Sequence, residues 1–260
     1  MALAAFGAGA LGFGSLAARA ATPLDACPAA VASSFTENGA DAIVATHVGS
    51  AQPFRILAIG SSSTQGIGAS GPTHTYPAQL AADLTSQWGI VTEVRNAGVG
   101  GEVGSTTLAR LRTELTNDRP DLVIWQVGTN DAVTGVDVAD FRAELEAGVA
   151  EARAVRVPII LVDPQFYFGI KNLTQFEQFV ATVGDVGAKA HVPVFSRFAM
   201  MKAWADLSAA ALRASMSSDG FHMGDHGYAC FAQALAGDIA HESAHVGKSV
   251  EANKSTAAKM

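Results

Sequence analysis

The feature that most constrains this chain is an alternation beginning at Phe54, in which short, β-branched apolar runs are separated by longer stretches of helical period. FRILAIG (54–60), VTEVRN (91–96), LVIWQV (122–127), VPIILV (157–162) and VPVFS (192–196) read as strands that are apolar on both faces. Strands covered on both sides belong to parallel sheets sandwiched between helices. Between them YPAQLAADLTSQ, TTLARLRTEL and VADFRAELEAGVAEARA carry apolar residues at helical spacing, as do Leu108, Leu111 and Leu115 or Phe141, Leu145 and Val149. Phe176, Phe179 and Val180 mark a further helix, and HGYACFAQALAGDIAHE a last one, with Asp225 placed as its N-cap. Repeated βαβ units predict a single-domain, three-layer α/β/α fold around an open parallel sheet of about five strands, flavodoxin-like in type. At 49% hydrophobic and 16% charged residues the chain has ample apolar material for such a core.

The flanks read differently. Residues 1–20 are small and apolar, with Ala18 and Ala20 spaced like an A-x-A cleavage site, and are expected to be a signal peptide that sends the protein to the periplasm or outside the cell. No Lys or Arg precedes that run. Glycines at positions 7, 9, 12 and 14 make it a poor buried helix or stable membrane span. Residues 21–52 are expected to form an N-terminal extension, 53–242 the folded domain, and 243–260 a polar, disordered tail. Two cysteines, Cys27 and Cys230, suit one disulfide in an oxidising compartment; LDAC at 24–27 faintly resembles a lipoprotein box, with the charged Asp25 against it. A net charge of −7 and the lack of a Lys/Arg cluster argue against nucleic acid as a partner and leave a neutral or cationic small molecule as the better candidate.

In open parallel sheets, sites form beyond the carboxyl ends of the strands. The segments there are Gly60-Ser61-Ser62-Ser63-Thr64-Gln65-Gly66 after the first strand, Asn96-Ala97-Gly98-Val99-Gly100-Gly101-Glu102 after the second, and Gly128-Thr129-Asn130-Asp131 after the third. Asp219-Gly220-Phe221-His222 precedes the last helix. Together they hold a hydroxyl, backbone and amide donors, and an Asp/His pair three residues apart, which are the parts that acyl transfer requires. Taken singly, each has a plainer reading: serines capping a turn, glycines permitting one, Asn130 bridging its loop, a structural histidine.

Across Phe54 to Ala240 the ordered set resembles the SGNH (GDSL-type) hydrolases. GSSSTQG is similar to that family's first block, NAGVGGE to the second, GTND to the third and DGFH to the DxxH block. The resemblance implies Ser62 as nucleophile, Asp219 and His222 as its acid/base pair, and the N–H of Ser62, the N–H of Gly101 and the Asn130 amide as oxyanion donors. Ser61 departs from the pattern, standing where the family usually has Asp. The implied activity is hydrolysis of short-chain acyl esters, acetyl included, of a carbohydrate or small molecule. A lysophospholipase, thioesterase or acyltransferase on the same fold is the alternative, with a catalytically silent carbohydrate-binding module the rival from outside enzymes.

No cofactor is called for. Gly66 and Gly68 lack the Lys of a phosphate loop. His222, Asp225 and His226 lack the general base of a zinc hydrolase helix, and a metal there would consume the one evident base. His74, Tyr76, Gln126, Gln165 and Tyr167 are expected to line the substrate cleft.

Overall fold

The computed structural model describes Cys27 and residues 52–240. The expected signal peptide, most of the expected extension and the expected polar tail therefore lie outside the described residues. Five strands pair in parallel in the order β2-β1-β3-β4-β5: β1 (Phe54–Gly60), β2 (Thr92–Gly98), β3 (Leu122–Gln126), β4 (Ile159–Val162) and β5 (Val194–Phe195). The helices are α1 (Ser62–Gln65), α2 (Tyr76–Trp88), α3 (Gly104–Asn117), α4 (Thr129–Thr134), α5 (Val138–Ala154), α6 (Leu173–Ala190), α7 (Arg197–Leu207) and α8 (Ala209–Ser215), with α9 helical through 225–240.

The two-residue period of a strand divides the core into two layers. Ile56, Ala58, Leu122, Ile124, Ile160 and Val162 point to one face, where α2, α7, α8 and α9 cover them with Leu80, Trp204, Leu212 and Phe231. Leu57, Ile59, Val123, Trp125 and Leu161 point to the other, against Leu111 of α3, Leu145 of α5 and Val183 of α6. This is the expected three-layer α/β/α architecture. Among the described residues no helix is long and apolar enough to cross a membrane.

Three expectations need correction. β2 is not covered on both faces: Glu93, Arg95 and Asn96 are exposed, because it forms the sheet edge and has one neighbour instead of two. Residues 197–215, read as no element, form α7 and α8, whose N-terminal signals Ser196 and Ser208 accept hydrogen bonds from Ala199 and Ala211. Asp225 is not the N-cap of α9 but its first helical residue, and its carboxylate accepts from Ser70 N (2.7 Å) and Oγ (2.5 Å) on the far side of the site.

Cys27 and Cys230 form a disulfide across a sequence separation of 203 residues, with Cα atoms 5.3 Å apart. It fastens Cys27 to α9 beside the buried ring of Phe231. Closing so long a loop restricts the unfolded chain strongly, so a Cys27→Ser/Cys230→Ser double variant is expected to lose about 2–4 kcal/mol of stability. Urea unfolding of the two proteins measures this; unchanged stability, or two alkylatable thiols in denatured, unreduced wild type, would contradict the bridge.

Candidate active site

The four segments meet over the carboxyl ends of β1, β2 and β3. After β1 the chain turns directly into α1. Gly66 ends this single turn in a left-handed conformation (φ +97°), its N–H returning to Ser62 O. α1 then lies flat against Gly98 at the end of β2: a Cβ there would come within 2.0 Å of Gln65 N and 2.5 Å of the Thr64 carbonyl carbon. Only a residue without a side chain allows that approach.

Of the three adjacent serines, Ser62 alone faces the histidine, its Oγ 2.9 Å from His222 Nε2. Ser63 Oγ donates instead to Gln165 Oε1 (3.2 Å). His222 Nδ1 lies 2.6 Å from Asp219 Oδ2. An ionised carboxylate can only accept, so Nδ1 carries the proton and Nε2 is left to accept from the Ser62 hydroxyl. Asp219 and His222 sit in a loop closed by the Met216–Met223 bridge and by Ser217 N–H donating to His222 O (2.8 Å). Partial burial works to raise the Asp219 carboxyl. The hydrogen bonds it accepts from His222, Ser217 Oγ and the N–H groups of Phe221 and His222 outweigh this and hold it well below the usual carboxylate range.

Gly101 adopts φ +82°, which only glycine takes without strain, and is exposed with open space where a Cβ would be. Among the described residues neither its N–H nor that of Ser62 has a protein acceptor. Asn130, at the start of α4, donates one Nδ2 hydrogen to Glu102 O (2.8 Å), which leaves the second free. Its neighbour Asp131 is buried and accepts from Gly104 N–H (2.7 Å), tying α4 to the start of α3. Burial raises the Asp131 carboxyl against these backbone bonds.

The five residues expected to line a cleft divide. Tyr76, Gln126 and Gln165 have at most 1% of their surface exposed and cannot meet a substrate. They are scaffold, because amide and phenol groups under the loops satisfy buried polar partners. Thr64 Oγ1 donates to Gln126 Oε1 (3.3 Å) and takes the hydrogen bond of Tyr76 OH (3.2 Å), whose ionisation burial pushes up to about 12. Gln165 Nε2 donates to Phe221 O (2.6 Å). His74 is exposed at the rim, 3.5 Å from Asp225. Tyr167 does line a cavity of about 240 Å³, together with Ala132, Val133, Ile170, Lys171 and Phe176. Its ring packs edge-on against Phe221 (4.8 Å), which packs edge-on against His222 (4.8 Å). The cavity is thus walled on one side by α4, which carries Asn130, and on another by Tyr167, whose ring is two aromatic contacts from His222.

Other residues here escaped the sequence reading. Arg197 is fully buried and donates Nη2 to Thr129 Oγ1 (3.3 Å), next to Asn130; burial draws its guanidinium down to about 10, so it stays charged at neutral pH. Phe221 was legible only as part of DGFH, and nothing local marked Arg197. The residues weighed as a metal site diverge: His222 serves Ser62 and Asp219, Asp225 serves Ser70, and the His226 ring lies 3.7 Å from Cys230 Sγ. Among the described residues no three His, Cys, Asp or Glu side chains converge on one point.

Comparison with known proteins gives this geometry a context. A family model described as the non-GDSL lipase-like family matches residues 27–245. That description accords with Ser61 standing in place of the Asp of the GDSL block. The chain is 27% identical to the esterase TesA of Pseudomonas aeruginosa over 142 residues, 54% of this chain and 70% of that protein. Among solved structures it resembles AlinE4, an SGNH-hydrolase family esterase, at 28% identity and a TM-score of 0.53, covering 61% of this chain and 82% of the other. It shares its fold with a two-domain esterase (CEX) active on acetylated mannans, at 20% identity and a TM-score of 0.67, covering 80% of this chain and 54% of that one.

The tight contact at Gly98 makes a direct prediction. Gly98→Ala must push α1 outward and carry the Ser62 hydroxyl with it. The expected cost is about 1–3 kcal/mol of stability and, because small displacements of a reacting group are costly, about 100-fold in esterase turnover. Urea melts and hydrolysis of p-nitrophenyl acetate test both; normal turnover would mean that α1 is not held by this contact.

Proposed function

The chain belongs to the non-GDSL lipase-like family, and from that premise we propose that it hydrolyses short-chain acyl esters with Ser62 as nucleophile, His222 as its base and Asp219 orienting the imidazole. The observation that carries the reading is the continuous path from Ser62 Oγ through His222 to Asp219, at 2.9 and 2.6 Å. A serine hydroxyl attacks only when a base removes its proton, and the Nδ1–H bond to Asp219 keeps Nε2 lone-pair-bearing for that purpose. Attack forms a bond from Ser62 Oγ to the ester carbonyl carbon, and the proton passes to His222. The imidazolium is stabilised by Asp219 and then protonates the departing alcohol. Water, deprotonated by the same ring, releases the acid and regenerates Ser62. The carbonyl oxygen, negative in the tetrahedral intermediates, is received by Ser62 N–H, Gly101 N–H and the free Asn130 hydrogen; removal of one such donor costs about 10²–10³ in kcat.

The cavity at Tyr167 takes the part of the ester adjoining the scissile bond. At about 240 Å³ it suits a short acyl group or one sugar ring, with Phe176 and Ile170 as apolar wall and Lys171, Asn172 and Gln175 as polar rim. A carbohydrate or small-molecule ester fits these walls. One observation favours longer acyl chains as a second reading. Ile67, Val99, Val133, Phe168 and Leu173 are exposed apolar residues on the segments following β1 to β4, the side of the sheet on which the site lies. Turnover of p-nitrophenyl esters from acetate to decanoate separates the two, a maximum at acetate to butyrate supporting the first. The Cys27–Cys230 bridge supports a secreted or periplasmic location for this activity.

Ser62→Ala is expected to abolish turnover and reaction with a fluorophosphonate while leaving the unfolding transition in place. Ser61→Ala is expected to retain both; loss in Ser61→Ala with survival in Ser62→Ala would move the nucleophile. The pH profile of kcat/KM is expected to fall on the acid side with a single ionisation, that of His222, because a protonated ring cannot accept the Ser62 proton. Asp219, held well below the usual carboxylate range, stays ionised across that limb and does not add a second. Asp219→Asn favours the wrong tautomer, a change that costs about 10⁴-fold in the well-studied serine protease triad. A flat acid limb in wild type, or near-normal turnover in His222→Ala, would place the base elsewhere.

A further inference from the structure

Arg110, on the inner side of α3, contacts no group assigned to the chemistry, yet its guanidinium reaches two of the segments that carry it, the second at both of its ends. Nε donates to both carboxylate oxygens of Glu102 (2.9 and 2.9 Å) and Nη2 to Oε2 (2.5 Å). Nη1 donates to Ala97 O (2.8 Å) near the end of β2, and Nη2 also to Gly60 O (3.2 Å) at the end of β1. The Arg110 and Glu102 side chains retain 28% and 15% of their exposure, so the pair is substantially shielded.

Glu102 is the centre of this arrangement. Gly101, whose N–H is unpaired, precedes it, and its own carbonyl takes the Nδ2 hydrogen that turns Asn130 toward the site. Gly60, whose carbonyl Arg110 holds together with Val99 N–H (3.0 Å), lies two residues before Ser62. The three backbone or amide donors are thus each one or two residues, or one hydrogen bond, from a residue held by the same guanidinium. A loop with left-handed φ at Gly101 and no strand neighbour has few other ties; among the described residues these include Gly100 N–H to Gln65 Oε1 (2.8 Å) and the long Glu102 N–H to Val99 O (3.4 Å).

We infer that Arg110, acting through Glu102, is the positioning residue of the oxyanion site. It sets the mutual geometry of the Ser62, Gly101 and Asn130 donors, and so stabilises the tetrahedral intermediate without contributing to substrate affinity. This rests on the serine-hydrolase reading above. A planar fork with five donors is needed, since lysine cannot engage both carboxylate oxygens and two carbonyls together.

The test compares wild type, Arg110→Gln, Arg110→Lys, Asn130→Ala and the Arg110→Gln/Asn130→Ala double variant on one activated ester, with rates per mole of protein folded by circular dichroism. Arg110→Gln is expected to lose about 10–100-fold in kcat, short of or comparable to removing a donor outright. KM is expected to stay within about threefold, the signature of an interaction made only in the transition state. Arg110→Lys follows the same direction and serves if the glutamine variant does not fold. Losses in the double variant are expected to fall well short of the product of the single losses, because both act on one set of donors. A melting temperature lowered with kcat per folded molecule unchanged would make Arg110 merely structural, and fully multiplicative losses would place its effect away from the donors; either overturns the inference. Ser62→Ala in the same assay separates the two levels: its inactivity upholds the serine reading whatever Arg110 shows, and its activity removes the premise.

Discussion

The side chain of Gln165 is fully buried just beyond β4, and much of the site's geometry depends on the hydrogen bonds it makes. Its Oε1 accepts from Ser63, its Nε2 donates to Phe221 O, and its N–H donates to Thr129 Oγ1. One residue thereby joins the turn bearing Ser62, the loop bearing His222 and the turn bearing Asn130. A buried amide costs free energy unless its donors and acceptors are matched, so the arrangement that satisfies Gln165 is strongly favoured over displaced alternatives. The site is held from below by polar bonds in a dry setting, where they discriminate between geometries more sharply than they would in water.

A second tier lies on either side. Thr64, Gln126 and Tyr76 lock α1 to β3 and α2, while Arg197 fixes Thr129 from beneath. Arg110 holds the outer side, at the sheet edge, where β2 lacks a second neighbour and a loop would otherwise be loosely held. Above these supports the reactive groups are less buried: Asp219 is 45% exposed while Ser62 is 8% exposed. The orienting carboxylate stays solvated and ionised, and the hydroxyl stays within a shielded pocket beside His222. Preorganisation of this sort spares the site the reorganisation that solvent dipoles would need during reaction.

The cavity at Tyr167 links specificity to the same frame. Phe221, whose carbonyl is held by Gln165, carries the ring that separates His222 from Tyr167, so the wall of the cavity and the orientation of the histidine share a support. The aromatic contacts are edge-on, the arrangement in which ring quadrupoles attract. Of the exposed apolar residues that follow the strands, Ile67, Val99 and Phe168 sit on loops, which can vary without disturbing the sheet.

The parallel α/β/α layering was legible because it depends on local periods: successive residues of β1 alternate between the core layers, and Leu108, Leu111 and Leu115 repeat at helical spacing. The residues now hydrogen-bonded as Ser62, His222 and Asp219 were legible because their types and order are unusual together. Tyr76, Gln126 and Gln165 were misread, since in sequence a polar side chain looks the same whether it faces solvent or a buried partner. The exposure of β2 was missed because edge position follows from strand order, which a strand's own residues do not encode. Arg110, Arg197 and the Ser70–Asp225 pair owe their roles to partners 8 to 155 positions away in the chain. Sequence alone therefore determined the elements, their layering and the chemical groups available, all of which follow from short-range periodicity and residue type. Which polar residues support and which remain open, and how the donors are held, were decided only in the tertiary structure, where burial and long-range hydrogen bonding assign each side chain its partner.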